Sequence, residues 1–409
     1  MKNLQGIVSK MAFGGEGVIR NNGLVTFVPY TAIGDTVVYQ ETEKKKSFAR
    51  GKLLSLIQNS PDRVEPKCPH FTKCGGCQFQ HLHPDAQLRD KAIFVQDALE
   101  RIAKRSIPKL STIPSPSPWN YRKHITLKLR PVNGKLLAGY QESDFISVKE
   151  CPIFAKGNKE TFDLVRMFID RLEPYEGSLR IISTEEGAIL AFTFEKEPPS
   201  FEKVALSQLD KWKGIALGKK TWGDTSVSLS IDAHQFMVSP YSFMQANSLL
   251  APKLYHHLAS LAEGNKILDL YCGSGILSTL LGKKGHQVVG VESSSLAIHY
   301  AKQNSEHYGL SIPFHTGFVE KLLPTILKDF HPDTVILNPP RGGVHPTVIE
   351  KLQKSGIKRI VYMSCMPSTL ARDIKGLAKY ELTDLFLYDM FPQTTHLESI
   401  AVLTLSSEG

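Results

Sequence analysis

The C-terminal part of the chain, from about residue 236 onward, alternates short apolar runs with helix-length segments. This alternation is typical of a parallel sheet whose strands are joined by crossover helices. We therefore predict an α/β domain over residues 236–409. Its clearest strands are expected at 266–270, 287–291, 333–337 and 359–363.

The length and composition of the chain limit the classes of protein to consider. At 409 residues it should contain roughly two to three domains. Its six cysteines do not indicate a disulfide scaffold and suggest metal binding or catalysis in a reducing compartment. The net charge of +9 favours an anionic partner such as nucleic acid. Without a membrane-length apolar run or a signal peptide, we expect a cytoplasmic, monomeric protein with no membrane partner.

Residues 1–57 carry alternating apolar residues broken by glycine-rich turns, which predicts a small all-β barrel. A basic run over 44–46 is followed by Phe48, Arg50 and Lys52. This interleaving of charge with an aromatic ring resembles single-strand nucleic-acid binders of the OB type. A solvated hairpin tip explains the same run.

Residues 58–235 form a second predicted unit, an α+β domain. One helical stretch is expected over 84–105, followed by a proline-rich connector at 113–118 that suits neither a helix nor a central strand. Arg122 and Lys123 then follow a tyrosine at the start of an alternating strand, and basic side chains beside an aromatic suit RNA. A plain surface strand is the alternative.

This central segment contains four cysteines, Cys68, Cys74, Cys77 and Cys151. Four thiolates suit either zinc or a [4Fe-4S] cluster. Zinc modules more often pair their ligands two and two, and His70 and His81 could replace a thiolate. The chemistry of the residues therefore leaves both metals open.

A glycine turn with Gly273 and Gly275 follows the first strand of the α/β domain and precedes a helix. Such a turn lets a ligand approach the backbone at the carboxyl edge of the sheet. The third glycine of a dinucleotide-binding motif is missing, which argues against a pyrophosphate ligand. Glu292 ends the next strand and is placed to bind two ribose hydroxyls. The pattern favours S-adenosylmethionine, and a tight turn with an unrelated surface glutamate is the alternative.

Asn338 ends another predicted strand and is followed by two prolines that stiffen the loop. Its side-chain amide can contact a substrate at the same edge of the sheet. Amino-group methyltransferases use a similar Asn-Pro-Pro followed by an aromatic residue. Here Arg341 takes the place of the aromatic, which weakens the case for nitrogen methylation.

Cys365 lies just beyond the apolar run 360–363, at the expected end of a buried strand, where a thiol can act as a nucleophile. Glu398 precedes the last apolar strand and offers a proton acceptor. Together they predict covalent catalysis with a separate base. An inert, buried strand-end cysteine is the alternative.

The motifs of this chain, taken in their order along the sequence, resemble those of the RNA 5-methyluridine methyltransferases. The resemblance is specifically to the subgroup with a TRAM domain and an iron-sulfur cluster. The resemblance covers nearly the whole chain and is closest to the bacterial 23S ribosomal RNA uracil-C5 methyltransferases, because related bacterial transfer-RNA enzymes typically lack both features. The motifs that carry it are Gly15-x-Gly17-Val18, Phe27-Val28-Pro29, Cys68-x5-Cys74-Gly75-Gly76-Cys77, Cys151-Pro152-Ile153, Ser242-Phe243-x-Gln245-x-Asn247, Asp269-x-Tyr271-Cys272-Gly273, Ser364-Cys365 and the stretch from Phe391 to Glu398.

The resemblance implies an OB-like TRAM barrel that binds RNA over 1–57 and a central iron-sulfur and RNA-binding domain over 58–235. Residues 236–409 would form a Rossmann-like class I methyltransferase domain that uses S-adenosylmethionine. The four central cysteines would hold a [4Fe-4S] cluster, with zinc as the alternative. Ribosomal RNA is the expected substrate. Transfer RNA is the alternative substrate. The alternative function is that of an iron-sulfur RNA-binding protein with a weakened methyltransferase site.

For the chemistry, the resemblance implies that the Cys365 thiolate adds to C6 of a uracil and that Glu398 removes the proton from C5. Phe243 and Tyr271, which could also be packing residues, are implied as contacts of the base and the cofactor. The residues expected around the cofactor are Gln245, Tyr271, Gly273, Gly275, Ile276, Glu292 and Asn338. Those expected to contact RNA are Phe243, Gln245, Arg122 and Lys123.

Four positions depart from the family pattern. Asn338 replaces an aspartate, and Ile276 replaces an asparagine that often faces the cofactor. Phe318 occupies a place that is often acidic, and Met366 replaces the asparagine usual after Ser-Cys. The Asn338 amide oxygen can still accept a hydrogen bond, so we expect base recognition to survive while rate or substrate choice differs.

Overall fold

The structure is a computed structural model that describes residues 3–21, 23–141 and 144–406. In these ranges the strands form a closed five-stranded barrel, a seven-stranded sheet, a two-stranded hairpin and an eight-stranded sheet. Each of the three larger assemblies has buried apolar residues of its own. Helices cover the two open sheets.

The N-terminal strands alternate apolar and polar residues, so that one face of each strand is buried. Their bounds are β1 Asn3–Met11, β2 Glu16–Asn21, β3 Leu24–Pro29, β4 Thr36–Lys44 and β5 Phe48–Gln58. They close in the order β1-β2-β3-β5-β4, which confirms the predicted all-β barrel. Ile19, Val28 and Tyr39 are completely buried inside it.

The central segment contributes a helix and a strand, then a sheet with two helices, and finally a hairpin. Their bounds are α1 Pro84–Ala98, β6 Leu110–Ile113, β7 His124–Val132, β8 Lys135–Gln141, β9 Phe145–Ser147, α2 Asn158–Ile169, β10 Gly177–Thr184, β11 Gly187–Phe194, α3 Phe201–Ser207, β12 Gly214–Leu217, β13 Lys220–Gly223, β14 Val227–Ile231 and β15 His234–Val238. The sheet has the order β13-β12-β11-β10-β7-β8-β9. Alternate residues of β7, Ile125, Leu127 and Leu129, pack with α2 and α3 on one face.

The C-terminal segment has the predicted alternation of strands and helices. Its elements are α4 Ala251–Ser260, β16 Lys266–Leu270, α5 Ile276–Lys283, β17 Gln287–Glu292, α6 Ser295–His307, β18 Phe314–Thr316, α7 Val319–Phe330, β19 Thr334–Leu337, α8 Pro346–Lys354, β20 Arg359–Ser364, α9 Pro367–Gly376, β21 Tyr380–Tyr388 and β22 Glu398–Leu405. The strand order is β18-β17-β16-β19-β20-β22-β21-β6. All four residues of β19 are fully buried, as expected for a parallel strand covered on both faces.

Part of the central segment belongs structurally to this C-terminal sheet. Strand β6 pairs in parallel with β21, and α1, extended by a π-helical turn over Leu99–Ala103, packs against α9. Phe94 and Val95 of α1 share a hydrophobic core with the strands of the sheet. The helix predicted over 84–105 is thus present, while the domain limits 58–235 and 236–409 stay predictions.

The strand directions determine which residues meet. Strands β16 to β20 run parallel, so the loops that follow them lie at one edge of the sheet. Strand β22 runs antiparallel to β20, and its first residue therefore lies at the edge where β20 ends. The end of β20 and the start of β22 are the positions of Cys365 and Glu398.

Candidate active site

Cys365 directly follows β20, and Glu398 is the first residue of the neighbouring strand β22. Ser364, the last residue of β20, pairs with Ser399 of β22, and the Ser399 hydroxyl donates to the Ser364 carbonyl oxygen at 3.0 Å. One step further along this antiparallel register brings Cys365 opposite Glu398, and side chains so paired approach closely. The structure therefore brings together the two residues predicted as nucleophile and base.

Glu398 is buried and Cys365 is half-buried, and the pKa values of both groups are shifted as a result. Glu398 is only 5% exposed, and burial raises the pKa of its carboxyl to about 8, while Arg341 acts to lower it. Burial also raises the pKa of the Cys365 thiol, and the charge of Glu398 raises it further. A carboxyl with a pKa near neutral pH is suited to accept and release a proton.

Arg341 is a residue of this site whose role the sequence did not reveal. Its charge and a hydrogen bond to the thiol lower the pKa of Cys365, opposing burial, and its charge also favours ionised Glu398. It was considered only as a replacement for an aromatic residue. Its position as the fourth residue of the loop after β19, the neighbour of β20, is the signal that could have identified it.

Met366 occupies the N-cap position of α9 and makes no side-chain capping bond. The Ser364 hydroxyl accepts a hydrogen bond from the Met366 backbone nitrogen at 3.2 Å instead. Pro367 follows as the first helical residue, and it has no N–H group to cap. The turn that presents Cys365 is therefore held without an asparagine at position 366.

The two predicted glycines of the cofactor turn differ in their surroundings, although both have positive φ, +55° for Gly273 and +71° for Gly275. A Cβ on Gly275 would lie 2.8 Å from the Cβ of Ala301, so this glycine allows the turn to pack against α6. A Cβ on Gly273 would meet nothing within 4 Å. Only Gly273 faces open space.

Glu292 ends β17 beside this turn. Its carboxylate accepts hydrogen bonds from the Gly273 backbone nitrogen at 3.3 Å and from the Ser294 backbone nitrogen at 2.9 Å. These bonds orient the carboxylate toward the crevice. Tyr271, at φ +64°, begins the turn and is half-buried, and Ile276 opens α5 in a buried position.

Asp269 lies beneath the turn and was not predicted as a functional residue. It is buried in β16 and accepts a hydrogen bond from the Ser278 hydroxyl at 2.5 Å. Burial raises the pKa of its carboxyl to about 7, and Glu292 adds to this rise. Asn338 directly follows the adjacent β19, and its backbone N–H donates to the Leu270 carbonyl oxygen at 3.3 Å.

Gln245 is buried, and neither the nitrogen nor the oxygen of its side-chain amide has a hydrogen-bond partner among the residues that the structure describes. A buried amide without partners is unfavourable unless a ligand supplies them. Phe243, two residues earlier, is 68% exposed. Arg180 holds this segment by donating to the Ser242 carbonyl oxygen at 2.8 Å. The segment thus combines an unpaired amide with an exposed ring.

The side chains of Arg122 and Lys123, both predicted to contact RNA, differ in their surroundings. Arg122 is half-buried, forms an isolated bridge with Asn247, and its guanidinium lies 5.9 Å from the Phe391 ring. Lys123 is exposed. Phe318 is also exposed, at the N-cap of α7, where its side chain makes no capping bond.

Cys68, Cys74, Cys77 and Cys151 line one cavity in the central segment. Burial and the other three thiols raise the pKa of Cys77 to about 12. Among the described residues, however, no three or more His, Cys, Asp or Glu side chains form a group that could hold a metal ion. His81, considered as a substitute ligand, points elsewhere, with its Nε2 3.0 Å from the Thr31 carbonyl oxygen.

Comparison with known proteins gives matches to methyltransferases. The family model described as tRNA (Uracil-5-)-methyltransferase matches residues 317–406, and the methyltransferase small domain matches residues 232–359. An uncharacterised RNA methyltransferase of Protochlamydia amoebophila is 39% identical, and the match covers 98% of this chain and 97% of that protein. The tRNA (uracil(54)-C(5))-methyltransferase of Pyrococcus furiosus is 32% identical over 98% of this chain and 99% of its own.

A solved structure is similar over the same extent. The tRNA (uracil-54, C5)-methyltransferase of Pyrococcus abyssi in complex with S-adenosyl-L-homocysteine aligns with a TM-score of 0.80 and 28% identity. The alignment covers 98% of this chain and 99% of that one. It confirms the class I methyltransferase fold predicted for the C-terminal part. In the part of this chain that the structure describes, no helix is both long and apolar enough to cross a membrane.

Proposed function

The chain belongs to the family of S-adenosylmethionine-dependent RNA uracil-C5 methyltransferases, and we propose that Cys365 and Glu398 carry out this reaction on a uracil of transfer RNA. The observation that carries the assignment of these two residues is their position across from each other at one sheet edge. Arg341 beside both groups favours their ionised forms. A thiolate and a carboxylate are the forms that the chemistry requires.

The two residues divide the reaction into addition and elimination. The Cys365 thiolate forms a bond to C6, and the electron pair of the C5–C6 double bond moves into an enolate that makes C5 nucleophilic. Bound S-adenosylmethionine supplies the methyl group that C5 takes up. Glu398 then removes the C5 proton, the double bond re-forms, and the bond between C6 and the sulfur breaks. This regenerates the Cys365 thiolate, and Glu398 passes the proton on to solvent before the next turnover.

The crevice between β16, β17 and β19 is where we propose that the cofactor binds. Gly273 leaves open space beside the turn, and the Glu292 carboxylate is oriented there to accept bonds from a ribose. The unpaired amide of Gln245 offers both a donor and an acceptor. Tyr271, Gly275, Ile276 and Asn338 would complete the surroundings. Asn338 can accept or donate a hydrogen bond there but carries no charge.

Ribosomal RNA was expected because related transfer-RNA enzymes of bacteria lack the barrel and the cysteine segment. Relatives described as tRNA (uracil(54)-C(5))-methyltransferases match nearly the whole of this chain, including those segments. The architecture is therefore compatible with transfer RNA. We propose transfer RNA as the substrate, with ribosomal RNA as the second candidate because of the motif resemblance.

A groove between the barrel and α1 supports the binding of single-stranded RNA. Its lining includes the rings of Phe13, Phe27 and Phe48, together with Arg20 and Arg101. Phe13 is 43% exposed, so a base could stack on it. Aromatic faces flanked by cations fit a flexible polyanion with stacked bases. The groove includes Phe48 from the basic segment predicted to bind RNA.

We propose a [4Fe-4S] cluster for the cysteine cavity. Four thiols around one cavity supply the full ligand set of such a cluster. Zinc fits less well, because zinc modules more often pair their ligands two and two, and the Cys68-x5-Cys74-Gly75-Gly76-Cys77 motif resembles that of the cluster-bearing family. Anaerobic purification should give a brown protein with about four irons per chain. A colourless protein loaded with zinc would contradict the cluster.

The substrate can be tested with methyl-labelled S-adenosylmethionine and separate unmodified transfer and ribosomal RNA. We expect label in transfer RNA, as 5-methyluridine at a defined position, and none with Cys365→Ala protein. Label only in ribosomal RNA would establish the second candidate. No label in either RNA would contradict the proposed reaction.

A further inference from the structure

The segment that leads into Glu398 is held by side chains from a distant part of the chain. We name residues 389–397, between β21 and β22, the base loop. Most of its polar contacts from outside come from residues 78–91, about 300 positions away in sequence. The loop also contains Gln393, which has φ +70°, a left-handed conformation that costs a non-glycine residue free energy.

Gln87 forms a two-way contact with this strained residue. Its side-chain oxygen accepts from the Gln393 backbone nitrogen at 2.7 Å, and its side-chain nitrogen donates to the Gln393 side-chain oxygen at 3.1 Å. The same nitrogen donates to the Leu82 carbonyl at 2.9 Å. The Phe79 backbone nitrogen adds a bond to the Gln393 carbonyl at 2.9 Å. Gln87 is completely buried, and both ends of its amide are satisfied.

Lys91 makes the second attachment, one helical turn further along α1. It is completely buried, and its ammonium group donates to the Asp389 carboxylate at 2.7 Å and to the Phe391 carbonyl at 2.9 Å. Gln87 and Lys91 lie on the same face of α1 because residues four apart are neighbours on a helix. The hydroxyl of Tyr121 adds a bond to the Pro392 carbonyl at 2.9 Å.

A buried ion pair and a buried amide are costly alternatives to apolar packing. The same helix packs Phe94 and Val95 into the core, so apolar side chains are suited to this environment. Among the described residues, every ion pair and hydrogen bond of the Lys91 ammonium group ends on the base loop. The polar groups of Gln87 and Lys91 instead fix the conformation of the base loop, which leads directly into the buried Glu398.

From these contacts we infer that Gln87 and Lys91 are positioning residues that hold the base loop so that Glu398 stays opposite Cys365. They contact neither substrate nor cofactor, and they act through Gln393 and Asp389. The inference rests on the proposed function, since it concerns the elimination step. Loosening the loop should leave addition and methyl transfer in place while slowing removal of the C5 proton. The methylated RNA would then remain attached to Cys365.

The test uses Gln87→Leu, Lys91→Met and the double variant Lys91→Met with Asp389→Leu, which leaves no unpaired carboxylate. Each is incubated with transfer RNA and methyl-labelled S-adenosylmethionine, and attached and free methylated RNA are separated on a denaturing gel. We expect release of product to slow at least tenfold and attached RNA to accumulate, as in Glu398→Gln. Affinity for S-adenosylhomocysteine should stay within twofold of the wild type.

Arg63→Met is the control, because it breaks an ion pair with another buried carboxylate, that of Asp35, and this pair does not touch the base loop. It should accumulate no attached RNA. Gln393→Gly provides a variant that relieves the left-handed strain while removing the side chain that Gln87 holds, and it should accumulate attached RNA even if Lys91→Met fails to fold.

Folded Gln87→Leu and Gln393→Gly proteins that release product at the wild-type rate would overturn the inference. An equal decrease in the rates of RNA attachment to Cys365 and of product release would also overturn it, because that pattern indicates that the whole active site is damaged. A wild-type protein that methylates no RNA would instead overturn the proposed function on which the inference depends.

Discussion

Two buried glutamines illustrate how the two sides of the site differ. Gln87, behind the base loop, is fully buried with both ends of its amide hydrogen-bonded. Gln245, on the side proposed for cofactor and base, is buried with no partner at either end. The side that holds the catalytic base is organised by the protein alone. The other side keeps polar groups unpaired until ligands arrive, and that has a cost in stability.

The largest expected effect is the loss of the nucleophile. Cys365→Ala should lower the methylation rate by at least about 10⁴-fold, because C5 of uracil cannot be activated without addition at C6. The measurement is transfer of labelled methyl groups to RNA, with binding of S-adenosylhomocysteine as the control for an intact crevice. Residual activity within tenfold of the wild type would rule out Cys365 as the nucleophile.

The pH dependence of product release tests whether Glu398 acts as the base. Burial raises the pKa of Glu398 to about 8, so below this value the ionised fraction, and with it the rate, should rise about tenfold per pH unit. The rate should level off above about pH 8. Single-turnover release measured between pH 6 and 9 checks this, and a flat profile would exclude a buried base with raised pKa.

The sequence predicts much of the fold and the positions of the chemical groups, but it does not predict their pairing. Cys365 could be placed just after one apolar strand and Glu398 just before another, so each is expected at an edge of the sheet. Their direct opposition depends on the antiparallel register of β22 against β20. No local pattern encodes that register.

Long-range contacts were missed for a related reason. Gln87 and Gln393 meet although they are 306 positions apart, and Gln87 looks like any polar residue of an amphipathic helix. The pairing of β6 with β21 joins a short strand of the central segment to the C-terminal sheet. Strand β6 has only four residues, too few for a periodic signal that would assign it to that sheet.

The same substitution at the two glutamines should have opposite effects on stability. Gln245→Leu should raise the free energy of unfolding of the ligand-free protein by about 1 kcal/mol, because it removes an unpaired buried amide. Gln87→Leu should lower it by about 1–3 kcal/mol, because it leaves the Gln393 backbone nitrogen without its partner. Chemical denaturation measures both, and the same sign for the two variants would contradict the contrast.

The two glutamine variants should also differ in their affinity for the cofactor. We expect Gln245→Leu to weaken the binding of S-adenosylhomocysteine about tenfold, the value of one lost hydrogen bond to a charged group. Gln87→Leu should change it less than twofold. Calorimetric titration distinguishes these outcomes, and unchanged affinity in Gln245→Leu would remove that side chain from the cofactor site.

A further stability difference is expected between the two glycines of the cofactor turn. Both have positive φ, so alanine strains the backbone at either position, but only at position 275 would the new Cβ collide with Ala301. Gly275→Ala should therefore be about 1–3 kcal/mol less stable than Gly273→Ala. Thermal unfolding of the two variants measures the difference. Equal stability would mean that the turn moves away from α6 without cost.

The covalent product formed by Glu398→Gln protein tests the central claim most directly. This variant should add to the uracil and take up the methyl group, yet fail to remove the C5 proton, so that RNA stays attached. Digestion followed by mass spectrometry should find one methylated nucleotide linked to the peptide that contains Cys365. Attachment at another cysteine, or normal release of 5-methyluridine, would contradict the assignment of Cys365 as nucleophile and Glu398 as base.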